Sequence, residues 1–268
     1  MVWGLTAVFT LFSVLGVSLF ALVGIDGATT MEAVGALTLP AVLLVPLAAI
    51  VVGYMTVVGE RQSGNLKLLL GFPVSRLAVV AGKVIGRTVV VAGSVTVAFV
   101  TAGVVGIALY GGFSLVRYAG FTLATVGLGV AFVGLSVGIS GAVRSRGQAL
   151  ALAVGAYLLL VMFWQPLVGG LYYAVAGTLP GVEVPAWYLL VERLSPTMAY
   201  QVLVEAALDV PAQASIFSIR PTSATTVEQL GGGPVPAFLS APISAVVLVL
   251  WVVIPTLIGY WRFRSSDL

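Results

Sequence analysis

The chain has 268 residues, of which 60% are apolar and only 8% charged, with 12 basic and nine acidic side chains giving a net charge of +3. A soluble domain carries about 25% charged residues, and a particle of this length cannot hide so much apolar surface from water, so lipid must solvate it. The absence of cysteine and histidine excludes disulfides, thiol chemistry, Cys/His zinc sites and histidine-based catalysis, and basic residues placed beside apolar segments are not a nucleic-acid signature.

Six stretches are long and apolar enough to span a bilayer as helices, which takes about 20 residues: 3–23, 36–58, 84–109, 118–141, 148–168 and 236–260. Their continuous apolarity favours helices over the alternating strands of a membrane barrel. The expected fold is therefore all-α, a single transmembrane domain over 1–268 built as a six-helix bundle. The first span begins almost at Met1 with no basic residue before it. A secretory signal normally has a charged leading region, so the expectation is a polar segment ahead of Met1 and not a cleaved signal.

Charge sorts by side. Arg61, Lys67, Arg76, Lys83, Arg87, Arg144, Arg146, Arg262 and Arg264 fall on one side with Glu60 and Asp267, whereas Arg117, Arg193 and Arg220 face seven acids on the other. The sides carry +7 and −4, matching the net +3. The positive-inside rule makes the first side cytoplasmic, with both termini inside.

Between spans five and six lies an outer loop, 169–235, too long for a simple connection. Ser195-Pro196 reads as an N-cap followed by a first-turn proline. Thr197, Gln201, Glu205 and Asp209 then recur every four residues, with Met198, Tyr200, Leu203 and Leu208 on the other faces. This predicts an amphipathic helix on the outer surface or capping the bundle, its polar stripe outward. The 211–236 stretch, with Gly231-Gly232-Gly233, reads as a linker.

The loop between spans two and three carries the most information. It reads Gly59-Glu60-Arg61-Gln62-Ser63-Gly64-Asn65-Leu66-Lys67-Leu68-Leu69-Leu70-Gly71-Phe72-Pro73-Val74-Ser75-Arg76, with Lys83 beyond. Leu66, Leu69 and Leu70 have helical spacing, Pro73 ends that helix and Ser75 caps the next. One reading is a short helix that docks in a partner's groove and transmits its movement; the other is a basic loop whose leucines dip into lipid.

The positions Glu60, Gly64, Leu68, Leu69, Pro73, Ser75, Arg76 and Lys83 resemble the cytoplasmic loop of type-2 ABC exporter permeases, in particular the subgroup of the nitrous-oxide-reductase maturation permease. Leu194-Ser195-Pro196 before an outer helix is similar too, and the likeness covers nearly the whole chain. It implies a six-helix subunit of the plasma membrane, pairing as a homodimer or heterodimer and working with a separate cytoplasmic ABC ATPase that binds ATP and Mg²⁺. The loop would then supply the coupling helix. Glu60 and Arg61 would make polar contacts with the ATPase or the helix start, Leu66, Leu69 and Leu70 would form the docking face, and Gly64, Pro73, Ser75 and Arg76 complete the motif. Arg144 and Arg146 would add a smaller contact or serve as topology anchors only.

No cofactor, metal or nucleotide site is expected on the chain itself. Gly82-Lys83 is followed by Val84 and preceded by Leu77 where a phosphate loop needs Ser/Thr and Gly. No ionisable residue lies deep in a predicted span, which disfavours an ion-coupled secondary transporter or channel, the alternative reading. With no carboxylate pair or His/Cys cluster at depth, an intramembrane enzyme is disfavoured as well. Gly82/Gly86 and Gly134/Gly138, with Ser136 and Ser140, allow close helix approach, while Pro40, Pro46, Pro166 and Pro255 can kink spans. Tyr157 and Gln165 are the polar groups of span five that could face a pathway.

Overall fold

The computed structural model describes residues 2–22, 30–63, 75–112, 114–210, 212, 215–217 and 225–265, and every regular element among them is helical. In chain order these are α1 (Val2–Leu22), α2 (Thr30–Gly35), α3 (Thr38–Gly53), α4 (Val58–Gln62), α5 (Arg76–Tyr110), α6 (Leu115–Ala142) and α7 (Arg146–Tyr157). A π-helical turn, Leu158–Phe163, joins α7 to α8 (Trp164–Ala176). Then come α9 (Ala186–Arg193), α10 (Pro196–Leu208), α11 (Thr226–Gln229), a 3-10 turn (Ala237–Leu239) and α12 (Ala241–Arg264).

Among the described residues five stretches are long and apolar enough to cross a membrane: Met31–Gln62, Arg76–Tyr110, Leu115–Ala142, Arg146–Ala176 and Ala241–Arg264. The apolar stretch of α1, Trp3–Leu19, is shorter. Outward faces carry Leu11, Leu15, Val89, Val97, Val104, Leu123, Leu152 and Val249, all exposed, as a surface solvated by acyl chains requires.

Two helices run beyond the predicted spans, α5 from the Ser75 cap that the sequence places there. α5 begins at Arg76, where the Ser75 hydroxyl accepts from the Ala78 N–H at 3.1 Å. Its 35 residues make a rod of roughly 52 Å against a hydrocarbon core of about 30 Å, so Lys83 and Arg87 ride on a helix long enough to leave the membrane. The Arg146–Ala176 stretch runs past residue 168 and ends where Gly177 takes a left-handed φ of 73°.

α6 is the centre of the bundle, packing against α3, α5, α10 and α12. Lipid is as apolar as the helix faces, so burial alone does not drive these contacts; close packing and hydrogen bonds do. The α6–α12 seam is the closest. A Cβ on Gly138 would stand 2.2 Å from the Pro255 carbonyl oxygen, and one on Gly134 2.6 Å from the Val252 Cα. The Gly134/Gly138 spacing thus serves packing within the chain. Gly82 and Gly86 of α5, by contrast, meet nothing within 4 Å. On the other side of α6, a Cβ on Gly53 would collide with the Ser136 hydroxyl. The backbone between α3 and α4 breaks at 54–57, and the Ser140 hydroxyl accepts from the freed Val57 and Val58 N–H groups at 3.0 and 3.1 Å. These contacts pair rising residue numbers with rising residue numbers, so α3, α6 and α12 run side by side in one direction. Thr6 of α1 bonds Ser94 of α5 at 3.0 Å, and the Tyr110 hydroxyl donates to the Val17 carbonyl, so α1 runs along α5.

The segment after α8 is not a surface cap with an outward polar stripe. α9 and α10 form a hairpin whose turn, Leu194-Ser195, is driven into the bundle. The Trp251 indole, near the middle of α12, donates to the Leu194 carbonyl at 2.8 Å. Ser195 and Thr197 donate to the Leu160 carbonyl, near the middle of the Arg146–Ala176 stretch, at 3.2 and 3.0 Å. Ser195 to Tyr200 are all buried, and Thr197, expected on the water face, is inside. Irregular backbone at membrane depth is tolerated only when protein surrounds it and satisfies its polar groups, and these bonds do that.

Candidate functional site: the basic end of the bundle

The residues on either side of the 64–74 segment converge where α3–α4, α6 and α12 end. Glu60 and Lys83 form an ion pair at 2.6 Å, which joins the end of α4 to the first turns of α5. The Arg61 guanidinium donates to the Val143 carbonyl just past α6 at 3.2 Å, and the Gln62 amide reaches the Arg144 carbonyl at 3.5 Å. Arg76 donates to the carbonyls of Phe263 and Arg264 at 2.8 and 3.0 Å. The carbonyl end of a helix carries partial negative charge, so guanidinium groups there are favourably placed. Both arginines also lie over the Phe263 ring, 5.4 and 5.3 Å from its centroid.

The structure thus brings together Glu60, Arg61, Arg76 and the backbone of Arg144 from the sequence-derived set, with Ser75 capping α5 and the Ser145 hydroxyl accepting from the Gln148 N–H to cap α7. Arg146 begins α7 and is exposed. Gly64, Leu66, Leu69, Leu70 and Pro73 lie outside the described residues. Phe263 was missed. It sits in an Arg-Phe-Arg tail read only for its charge, and its burial depends on partners far away in sequence.

A second polar cluster sits at the hairpin turn. Gln165 is buried, and its amide donates to the Glu192 carboxylate at 3.2 Å and to the Met198 sulfur at 3.1 Å. The Trp164 indole donates to the Glu192 backbone carbonyl at 3.0 Å. Glu192 is 7% exposed. The hairpin therefore carries an ionisable group into the bundle from outside every predicted span, which no count of charges within spans could detect. Tyr157, half-buried, donates to the Leu43 carbonyl at 3.1 Å. Tyr157 and Gln165 are both engaged in bonds within the chain. Beside the hairpin an apolar groove of about 610 Å³ opens between α6, α10 and α12, lined by Leu123, Gly127, Leu203, Leu248 and Val252 among others. It offers contact to hydrocarbon and almost no polar partner.

A family model described as ABC-2 family transporter protein matches residues 1–268. The chain is 28% identical over 226 residues to the probable ABC transporter permease protein NosY of Stutzerimonas stutzeri, covering 82% of this chain and 75% of that protein. It is 27% identical over 233 residues to the probable ABC transporter permease protein NosY of Pseudomonas aeruginosa, covering 84% and 77%.

Proposed function

From the premise that this chain belongs to the ABC-2 transporter family, as a multi-pass membrane subunit of an ABC transporter, we propose that it is the permease half of an exporter driven by a separate ATPase. Family membership implies the partnering ATPase subunit. In our reading α1 and the five longer stretches make six passes, the basic end faces the cytoplasm with both termini, and the protein lies in the plasma membrane. Two permease subunits pair and bind two ATPases, which carry ATP and Mg²⁺. Closure of the ATPases moves the 64–74 segment, and the helices shift between inward- and outward-facing states by alternating access. Glu60, Arg61, Arg76, Arg144 and Arg146 frame the docking site, and Leu66, Leu69 and Leu70 provide its apolar face.

The observation that carries this reading is the family match over residues 1–268. A reading in which transport is not driven by ATP draws on one feature, buried Glu192, since ionisable groups at membrane depth commonly mark ion pathways.

Leu69→Asp separates the two. A docked leucine contributes roughly 1.5–3 kcal/mol when fully buried, and a charge there enters the interface unpaired. The variant should insert normally, lose co-purification with the ATPase and lose coupling of hydrolysis to transport in vesicles. Ser145→Asp, which preserves the α7 cap, should have a milder effect. Unchanged binding and coupling in Leu69→Asp, or transport by the permease with no ATPase present, would favour the second reading.

A further inference from the structure

The arginines that begin and end the segment between α4 and α5 meet on one buried ring. Phe263, in the last turn of α12, is fully buried. Arg61 and Arg76 both lie over it, and a guanidinium placed over an aromatic face is held by the ring's quadrupole. Each arginine also grips a helix end, Arg61 the carbonyl of Val143 after α6 and Arg76 two carbonyls at the end of α12. Two like charges drawn together in this way need a shared partner between them, and the ring is that partner. The helices they grip meet backbone to backbone: a Cβ on Gly259 of α12 would stand 2.3 Å from the Gly138 carbonyl oxygen of α6. Helices in backbone contact of this kind cannot slide past one another without clashing.

We infer that Phe263 is a positioning residue that clasps both feet of the cytoplasmic segment to the α6–α12 pair, so that an ATPase pushing on the segment displaces this pair as one body relative to α7 and α8. The inference rests on the permease reading. An aliphatic side chain at 263 would leave each arginine its carbonyl bond but remove the surface that unites them. The ATPase could then still dock and hydrolyse ATP while its movement failed to reach the bundle.

The chain has no cysteine, so spin labels can be placed at Val116→Cys, on the far end of α6, and Leu179→Cys, beyond α8, both at exposed positions. In the lipid-reconstituted permease–ATPase complex, pulsed electron resonance reads the distance between them with and without ATP. ATP should change that distance in the wild type and in Phe263→Trp, which keeps an aromatic face. Phe263→Leu should lose the change while retaining ATPase binding and hydrolysis. Arg76→Gln should lose it as well, and joining it to Phe263→Leu should add nothing. A full ATP-dependent change in Phe263→Leu overturns the clasp; if that variant does not insert, a full change in Arg76→Gln does so. A wild-type chain that neither binds an ATPase nor responds to ATP overturns the permease reading, and the clasp falls with it.

Discussion

At mid-depth α6 and α12 meet backbone to backbone through Gly134 and Gly138, and the hairpin turn is bound to the Leu160 carbonyl by two neutral hydroxyls. At the basic end the same two helices are joined by Arg61, Arg76 and Phe263, beside the Glu60–Lys83 pair. The first set has no water to exchange with, so each lost contact leaves a clash or an unpaired group. The second is partly exposed, and water can replace what a charged group leaves behind. Under the mechanism proposed above, in which movement enters at one end, this division supplies a fixed middle and an adjustable rim.

The largest expected effect lies in the middle. Gly138→Val places a side chain against the Pro255 backbone and should destabilise the bundle by about 3 kcal/mol, the upper range for an overpacked core. Gly86→Val, where nothing lies within 4 Å, should unfold like the wild type. Thermal unfolding in detergent compares them, and equal stability would erase the contrast between seam and outer face.

Next comes the hairpin turn. Ser195→Ala with Thr197→Val removes both donors to Leu160 and the cap of α10. A lost cap costs about 1 kcal/mol and interhelical hydrogen bonds in membranes average about 0.6 kcal/mol each, so the double variant should lose roughly 2 kcal/mol while still binding ATPase. Unfolding titration and pull-down read the two quantities. Loss of ATPase binding at unchanged stability would mean that the middle, not the rim, meets the partner.

The long apolar helices were legible because each is a continuous hydrophobic run, a property of the sequence alone. The basic end was partly legible, since the charges of Arg61, Arg76 and Arg144 fall beside spans. The hairpin's depth was not. Glu192 and Arg193 look like surface residues, and only tertiary contacts show that Gln165 and Trp164 receive the Glu192 end of α9. The every-fourth polar stripe misled for the same reason: Thr197 satisfies a carbonyl inside the bundle, whereas Asp209, at the other end of the stripe, is exposed. The start of α5 was legible in Ser75, which caps it, although the predicted span itself begins only after Lys83. The break at 54–57 has no proline to announce it; its N–H groups are answered by Ser140, 82 and 83 residues away.

The smallest effect marks the outer limit of the dry middle. Glu205, on α10, has its carboxyl pushed above its usual range, first by burial, while bonds from Gln201 and the Ala212 N–H and the charge of Arg193 act in opposition. A carboxyl raised in the folded state stabilises it most when protonated. This contribution is complete below about 4.5, the unperturbed value, and is lost as pH rises through the folded value. Glu205→Gln should flatten this slope in unfolding measured from pH 4 upward. An unchanged slope would place Glu205 in water.

The central claim is that the basic end is where an ATPase acts. A photo-reactive residue at Ser63, exposed at that end, and another at Leu179, exposed beyond α8, would be activated separately in membranes containing the permease and its ATPase. The account predicts a permease–ATPase adduct from Ser63 and none from Leu179. An adduct from Leu179 alone, or none from either position in membranes that transport on ATP, would contradict it.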